Sequence, residues 1–403
     1  MPFKKLAPSA ALGTGALLAA GIVLLLFGVA HPRSYWRLVQ TPLQGQINGV
    51  AMTLDRRHII LSGGFALHSS DRGVTWETVS GSLEIMVFGD NSHLFGIGSN
   101  PGNCNQPNGI AEMRRSTDYG KTWSSTSVRT PMCFREAFFL DGLNGWAVGS
   151  NKDSIVITKN GGQTIATRFF VLSDFDARGV SFLDSLNGFV CGWLVGTDSS
   201  VLRTKDGGNS WMVLPVGVYS LVGITCDFVD TLNGWMLGAT GARALYHTSD
   251  GGRSWLDQGD FGSFGGFIST VQAVDSLHTW VFGDYFAPFI WKTIDGGENW
   301  DLEYNGPGSY IRDATMVDSS RGVAVGGNGM VLIYTPLILG DLNGDEEITI
   351  SDVVLELNKT FLALSFPAPP EAGDTNCDGA FTPADVVLLL NRTFLLSPFP
   401  CSL

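Results

Sequence analysis

The chain has 403 residues, of which 51 are glycine and 11 are tryptophan, and only 16% are charged. Glycine at this density excludes a coiled coil or a helical bundle, because each glycine costs about 1 kcal/mol in a helix. The 44% of hydrophobic residues argue against a disordered chain. The formal net charge of −13 argues against a nucleic-acid partner, which would require a basic face.

The N-terminal segment is apolar and uncharged from residue 6 to residue 30, and it follows Lys4 and Lys5. A basic start, an apolar stretch and the small-residue ending Gly28-Val29-Ala30 predict a secretory signal peptide over residues 1–30. An uncleaved membrane anchor is the alternative, since about 20 apolar residues can span a bilayer. Both interpretations predict that the remaining chain is extracellular, periplasmic or at the cell surface.

A short motif of the form Ser/Thr-x-Asp-x-Gly-x-x-Trp recurs along the chain. It predicts a tight hairpin turn, because glycine adopts positive φ and the Asp side chain accepts backbone N–H groups. The complete copies are Ser69–Trp76, Ser116–Trp123, Thr204–Trp211, Thr248–Trp255 and Thr293–Trp300. A further copy, Thr158–Ile165, has Asn160 in place of Asp. We expect the Asp residues at 71, 118, 206, 250 and 295 to be structural.

A second motif alternates with the first and consists of an Asp, a short turn and an apolar strand that ends on Gly. Its copies are Asp141–Gly149, Asp184–Gly192, Asp230–Gly238, Asp275–Gly283 and Asp318–Gly326, with looser copies at Asp55–Gly63 and Asp90–Gly98. Together the two motifs describe four antiparallel strands per repeat, which is a β-propeller blade. We therefore predict an all-β seven-bladed propeller over residues 35–336. Residues 35–40 should pair with residues 330–335 and close the ring without an open edge.

The first motif is identified as the Asp-box, or bacterial neuraminidase (BNR) repeat. Interleaved with apolar strands such as Gly145–Gly149, it resembles the photosystem II stability/assembly-factor family of propellers over about residues 35–336. That family is known for an arginine-rich surface that meets a protein client. The resemblance therefore implies a non-enzymatic binding protein.

Three arginines occupy one repeated position, six residues before the turn Asp: Arg135, Arg178 and Arg312. The first strand of each blade lines the central channel, so equivalent positions form a ring at one rim. Such a ring could bind a carboxylate, a phosphate, an acidic peptide or a glycan. Local pairing of each arginine, for example with Glu136 or Asp313, is the alternative.

A secreted glycoside hydrolase is the alternative function, because Asp-boxes also occur in sialidases and glucan-cleaving propellers. Hydrolysis requires two carboxylates roughly 5 or 6.5–9.5 Å apart, and the sequence singles out no such pair. We predict no catalytic residue. His58, His93 and His278 each follow a turn Asp and are expected to be turn residues. A structural cell-surface protein without a soluble ligand is the third possibility.

The C-terminal residues 337–403 contain two acidic segments, Asp341–Asp352 and Asp374–Asp385. Both place oxygen donors at positions 1, 3, 5, 9 and 12 of an EF-hand-type loop, with a main-chain carbonyl at position 7. This pattern predicts two Ca²⁺ ions. The predicted ligands are Asp341, Asn343, Asp345, Glu347, Thr349 and Asp352 in loop 1, and Asp374, Asn376, Asp378, Ala380, Thr382 and Asp385 in loop 2.

Each acidic loop runs into an apolar helix, and the duplicated loop and helix resemble a type I dockerin. The resemblance implies a small all-α calcium-binding domain that docks to a cohesin-type partner or another cell-surface protein. Two features depart from the family pattern. Loop 1 has Glu346 where Gly is usual, and the residues before the last ligand differ between the halves, Ile350-Ser351 and Pro383-Ala384. A self-folding tail without a partner therefore stays open.

Six cysteines in an exported chain allow up to three disulfides. We expect Cys104 to pair with Cys133, and Cys377 with Cys401. Cys191 and Cys226 lie within apolar strands, where buried free thiols are expected.

Overall fold

The computed structural model describes residues 34–401, apart from residues 43, 82–84, 100–109, 130–131, 151–153, 171, 173–174, 195–198, 217–221, 241, 260–266 and 286. The predicted signal peptide or anchor at residues 1–30 lies outside the described residues, as does Cys104. Within the described part of the chain, no helix is long and apolar enough to cross a membrane.

The described strands form seven antiparallel sheets of four strands each, which confirms the seven-bladed propeller. The first strand of the chain is β1 (Ser34–Val39). Blade 1 contains β2 (Gly49–Met52), β3 (Ile59–Ser62), β4 (Ala66–Ser69) and β5 (Glu77–Val79). Blade 2 contains β6 (Ile85–Phe88), β7 (Leu94–Ser99), β8 (Ile110–Ser116) and β9 (Ser124–Arg129). Blade 3 contains β10 (Cys133–Phe139), β11 (Gly145–Ser150), β12 (Ser154–Thr158) and β13 (Ala166–Phe169).

The remaining blades repeat this order. Blade 4 contains β14 (Phe175–Phe182), β15 (Gly188–Leu194), β16 (Ser199–Thr204) and β17 (Met212–Pro215). Blade 5 contains β18 (Val222–Phe228), β19 (Gly234–Thr240), β20 (Ala242–Thr248) and β21 (Leu256–Asp257). Blade 6 contains β22 (Phe267–Ala273), β23 (Thr279–Tyr285), β24 (Ala287–Thr293) and β25 (Asp301–Asn305). Blade 7 contains β26 (Ile311–Asp318), β27 (Arg321–Gly326) and β28 (Val331–Pro336), with β1 as its fourth strand.

The ring closes as the sequence predicts. Strand β1 pairs antiparallel with β28, from Ser34 opposite Pro336 to Val39 opposite Val331. Each inner strand contacts the inner strand of the next blade, and β26 contacts β2. This closure completes blade 7, which takes its outer strand from the opposite end of the chain and so leaves only the short edges typical of a propeller.

The Asp-box side chains build their own turns, which confirms their structural role. Asp118 accepts hydrogen bonds from the Thr122 backbone N–H (2.8 Å) and hydroxyl (2.6 Å) and from the Ser116 hydroxyl (2.7 Å). These bonds, the Thr122 hydroxyl first, lower the pKa of Asp118 to about 2. Trp123 packs against a core cluster of blades 1 and 2 and donates its indole N–H to the Ser80 carbonyl, so the motif also joins neighbouring blades.

Two of the three predicted turn histidines contact the turn Asp that precedes them, as expected of turn residues. The Nδ1 atoms of His93 and His278 lie 2.6 and 2.9 Å from the carboxylates of Asp90 and Asp275. His58 differs, because its Nδ1 atom lies 2.9 Å from His68 Nε2.

The cysteines largely follow the predicted pattern. Cys377 and Cys401 form a disulfide, and Cys191 and Cys226 are buried free thiols. Cys133 is disulfide-bonded, and its predicted partner lies outside the described residues.

After the propeller the chain forms two helices, α1 (Ile350–Leu362) and α2 (Pro383–Leu395). The helices share a core cluster with Leu337 and Leu342, and Tyr35 of β1 packs against that cluster. The described residues of the propeller and of the C-terminal helices accordingly belong to one compact unit. The C-terminal residues therefore pack directly on the blade that closes the ring.

Candidate ligand-binding rim and calcium loops

The three predicted arginines occupy β-bulges at the beginnings of three inner strands. Pairing of β10 with β11 jumps from Phe134 to Glu136 and leaves out Arg135. The same shift leaves out Arg178 in β14 and Arg312 in β26. A bulge residue is released from the strand ladder, which lets its side chain turn away from the sheet. We call the end of the channel at these three residues the arginine rim.

The glycine that ends the second motif explains the bulge. A Cβ atom on Gly149 would collide with the carbonyl oxygen of Cys133, and one on Gly326 would collide with that of Tyr310. Both carbonyls lie just before a bulge. The backbone of the inner strand therefore approaches its neighbour closely, and only glycine leaves the necessary room. Sequence reasoning missed the bulges, although these glycines were the available signal.

The three arginines differ in their local partners. Arg178 donates from Nε and Nη2 to Asp176 Oδ2, at 3.0 and 2.8 Å, and the same oxygen accepts the Trp193 indole N–H. Arg135 and Arg312 are exposed, and neither guanidinium forms an ion pair or hydrogen bond with another described residue. Local pairing therefore accounts for Arg178 alone.

The sequence neighbours of Arg135 and Arg312 bond elsewhere. Glu136 accepts a hydrogen bond from the Thr225 hydroxyl at 3.2 Å. Asp313 accepts the backbone N–H groups of Val50 at 3.0 Å and Ala314 at 2.9 Å. Neither carboxylate forms an ion pair or hydrogen bond with the neighbouring arginine, although the charge of Arg312 lowers the pKa of Asp313 against the larger effect of burial.

The arginines are spread around the channel. Arg135 and Arg178 belong to neighbouring blades 3 and 4, whereas Arg312 belongs to blade 7, on the other side of the ring. Gly49 and Ser269 hold the equivalent position in blades 1 and 6. The side chains of Glu84 and Ile224, at the same position, lie outside the described residues. A ligand that contacted all three arginines would therefore span the channel mouth.

The channel behind the rim is acidic. Burial raises the pKa of Asp227 and of Asp313 to about 6, and raises that of Glu136 well above its usual value. Asp227 accepts the Ala273 backbone N–H from the next blade at 2.8 Å, just as Asp313 accepts that of Val50. Both carboxylates therefore join adjacent blades.

Loop 1 coils around the carboxylate of its first predicted ligand. Asp341 is buried and accepts the backbone N–H groups of Gly344 (2.7 Å) and Glu346 (2.9 Å). Burial, with Asp352 and Asp345 nearby, raises the pKa of Asp341 to about 6. Asp352 accepts the Leu342 and Thr349 N–H groups at 2.8 Å each.

Loop 2 repeats this arrangement. Asp374 accepts the backbone N–H groups of Asp378 (3.0 Å) and Gly379 (2.8 Å), and Asp385 accepts that of Thr382 (2.9 Å). Thr349 and Thr382 are also helix N-caps in capping boxes completed by Asp352 and Asp385. The positions 9 and 12 that sequence reasoning assigned to calcium thus also begin the helices.

The donor set suits a hard cation, because it consists of carboxylate, amide and hydroxyl oxygens with main-chain carbonyls. The structure brings together the first and last carboxylates of each loop around backbone N–H groups. Among the described residues, no three His, Cys, Asp or Glu side chains are close enough to form a metal cluster by themselves.

Fold and site together define an Asp-box β-propeller with arginines at one rim of its channel, followed by two acidic loops that each run into a helix. The profile of the family described as photosynthesis system II assembly factor YCF48 matches residues 114–217 and 174–336. These residues cover more than half of the chain, which therefore belongs to this family. No curated protein sequence matches the chain.

Several solved structures share the fold at low sequence identity. YCF48 from Cyanidioschyzon merolae is 20% identical with a TM-score of 0.57, over 75% of this chain and 98% of that chain. A structure of YCF48 bound to D1 peptide is 19% identical with a TM-score of 0.56, over 74% and 96%. The GH74 xyloglucanase from Xanthomonas campestris is 13% identical with a TM-score of 0.57, over 74% and 53%. At these identities the likeness establishes the fold alone.

Proposed function

We propose that the chain is an exported, non-enzymatic binding protein whose arginine rim binds an acidic peptide. The observation that carries this proposal is the pair of exposed guanidinium groups, Arg135 and Arg312, which form no ion pair or hydrogen bond with another described residue. Guanidinium groups bind carboxylates through charge-assisted and often bidentate hydrogen bonds. A related propeller, YCF48, has been solved with a D1 peptide, which supports peptide binding by this class of propeller.

Titration calorimetry with a short acidic peptide tests the rim. We expect Arg135→Ala and Arg312→Ala each to raise Kd by about tenfold to a hundredfold, because a hydrogen bond to a charged group contributes about 1.5–3 kcal/mol. Arg178→Ala is the matched control and should have a smaller effect, because Asp176 already occupies its guanidinium. Binding that survives the Arg135→Ala, Arg312→Ala double substitution would contradict the proposal.

We propose further that the C-terminal helices dock to a cohesin-type or other cell-surface protein. Helix α1 exposes Ile350, Val354, Leu357 and Phe361 at helical spacing, and α2 exposes Val387 and Phe394 at the corresponding positions. Apolar stripes of this kind are typical of interaction surfaces. A pull-down from an envelope fraction should retain a partner with the intact chain and lose it with Val354→Asp or Val387→Asp. Equal recovery with both variants would contradict docking through these faces.

Two Ca²⁺ ions are proposed to bind the loops through the twelve residues predicted from the sequence. Calcium would supply positive charge that offsets carboxylate repulsion, so its binding should stabilise this region. Calorimetry of the full chain should detect calcium binding that Asp374→Ala with Asp385→Ala weakens strongly. The absence of any calcium signal would contradict this part of the proposal.

A further inference from the structure

The propeller holds loop 1 with three arginines. The Arg321 guanidinium donates from Nε and Nη2 to the two carboxylate oxygens of Glu346, at 2.7 Å each. Arg72 donates from Nη1 to the Asp345 carbonyl at 2.6 Å, and its Nε lies 3.9 Å from Glu346. Arg37 Nη2 lies 3.5 Å from the Gly344 carbonyl oxygen. We call these three side chains the arginine clasp.

The clasp is assembled where the propeller ring closes. Arg37 lies in β1, Arg72 in the Asp-box turn of blade 1 and Arg321 at the beginning of β27 in blade 7. Only 6% of Arg37 is exposed, and the side chains of Arg321 and Glu346 are 18% and 12% exposed. At such burial an ion pair is poorly screened by solvent, and loss of one partner is costly.

Glu346 occupies the position where the loop pattern normally has Gly, and it adopts φ 67°. A left-handed conformation is unfavourable for residues other than glycine, because Cβ crowds the backbone. The same position in loop 2 is Gly379, with φ 82° and no atom within 4 Å of an added Cβ. Loop 1 therefore has a strained backbone at Glu346, and the carboxylate of this residue contacts the propeller.

The two loops also differ in their counter-charges. Loop 1 contains Asp341, Asp345, Glu346, Glu347 and Asp352, and the three clasp arginines lie against it. No lysine or arginine among the described residues forms an ion pair with loop 2, whose tie outside the loop is the disulfide from Cys377 to Cys401. A disulfide constrains the chain but does not offset the repulsion between carboxylates.

We propose that the arginine clasp stabilises loop 1 by offsetting its negative charge, as calcium would do in loop 2. Inside the loop, the Asp341 carboxylate accepts the backbone N–H groups of Gly344 and Glu346, while the clasp contacts residues 344–346 from outside. Loop 1 thus stays folded on the propeller without metal, and loop 2 with α2 is the calcium-responsive half. The assignment of loop 2 rests on the proposed calcium function, whereas that of loop 1 does not.

Hydrogen exchange of the full chain in Ca²⁺ and in chelator tests this assignment. In chelator we expect the amides of residues 341–352 to stay within about twofold of their protection in calcium. Residues 374–385 should lose protection about tenfold or more. Equal loss of protection in both loops would overturn the proposal.

Variants on both sides of the clasp separate it from the rest of the module. Glu346→Gly removes the carboxylate and relieves the strained φ, and Arg321→Met removes the propeller side while leaving the loop sequence intact. Both should make residues 341–352 lose protection in chelator as loop 2 does. Glu371→Gln removes one exposed acidic charge from the same region and should change neither loop.

The outcomes also separate this inference from the proposed calcium function. If neither loop responds to calcium in the wild-type chain, the calcium function fails. The clasp is then judged from the loss of loop 1 protection in Glu346→Gly and Arg321→Met relative to wild type. Unchanged protection of residues 341–352 in both variants would overturn the clasp.

Discussion

At the residue scale, each Asp-box carboxylate satisfies several donors at once. In blade 5, Asp250 accepts the Ser254 backbone N–H and hydroxyl and the Thr248 hydroxyl. The hydroxyl of Ser254, first among these donors, helps to lower the pKa of Asp250 to about 2. The carboxylate therefore stabilises a turn that would otherwise leave its N–H groups to solvent.

Substitution of one such residue measures this contribution. We expect Asp118→Ala to lower the free energy of unfolding by about 1–2 kcal/mol, because several hydrogen bonds to the carboxylate are lost. Asn160→Asp in blade 3 is the control and should change stability by less than about 0.5 kcal/mol, since Asn160 already accepts the Thr164 N–H. Denaturant titration measures both, and equal effects would argue against the role of the carboxylate.

At the element scale, the second strand of a blade determines the path of the inner strand. The Gly that ends the second motif lets the inner strand approach and form a bulge, and the bulge directs an arginine away from the sheet. Gly192 has the same relation to the Asp176 carbonyl in blade 4. This glycine therefore links strand packing to the proposed ligand binding, although it lies in the second strand and not at the rim.

Gly326→Ala tests this link in blade 7. The added methyl would collide with the Tyr310 carbonyl, so we expect a loss of about 3 kcal/mol in the free energy of unfolding and weaker peptide binding by the adjacent Arg312. Gly64→Ala, where the methyl meets no atom within 4 Å, is the matched control. A wild-type stability for Gly326→Ala would refute the close approach.

The blades and their closure were predictable because every turn needs the same residue types, so the chemistry repeats visibly in the sequence. The bulges could not be predicted from the sequence, because a register shift depends on how two strands pair. The ion pair that distinguishes Arg178 from the other two arginines requires Asp176, a residue outside the repeated pattern. The clasp could not be predicted either, because Arg37, Arg72 and Arg321 contact loop 1 only in the closed ring.

At the scale of the whole molecule, the two proposed binding surfaces lie at opposite ends of the inner strands. Arg312 lies near the beginning of β26, whereas Arg321 follows the turn after its end. The C-terminal helices are thus attached on the side of the turns that connect inner and second strands, which we call the Asp-turn side, and they leave the arginine rim open. The two proposed binding surfaces therefore do not overlap.

The stability of the whole propeller should depend on pH in two directions. Asp227 and Asp313 have pKa values of about 6 in the folded chain, above their ordinary 3.8, so folding favours their neutral forms. Stability should therefore rise as the pH falls from about 7 to about 4. Asp118 and Asp250 have depressed pKa values of about 2, and the stability that they contribute is lost as the pH falls from about 4 through 2.

Denaturant titrations at saturating Ca²⁺ across this pH range measure the effect. Asp227→Asn keeps an acceptor for the Ala273 N–H but removes the titrating group, so the rise between pH 7 and 4 should be smaller in this variant. Stability that falls steadily from pH 7 downward would contradict the assignment of the channel carboxylates.

Recognition at the arginine rim is tested most directly by hydrogen exchange of the full chain with and without a saturating acidic peptide. We predict that the peptide slows exchange at the beginnings of the inner strands, at residues 133–136, 175–178 and 311–313. Residues 69–76 and 318–321, on the side of the Asp turns, should exchange unchanged. Protection confined to the Asp-turn side, with none at the rim, would contradict the account.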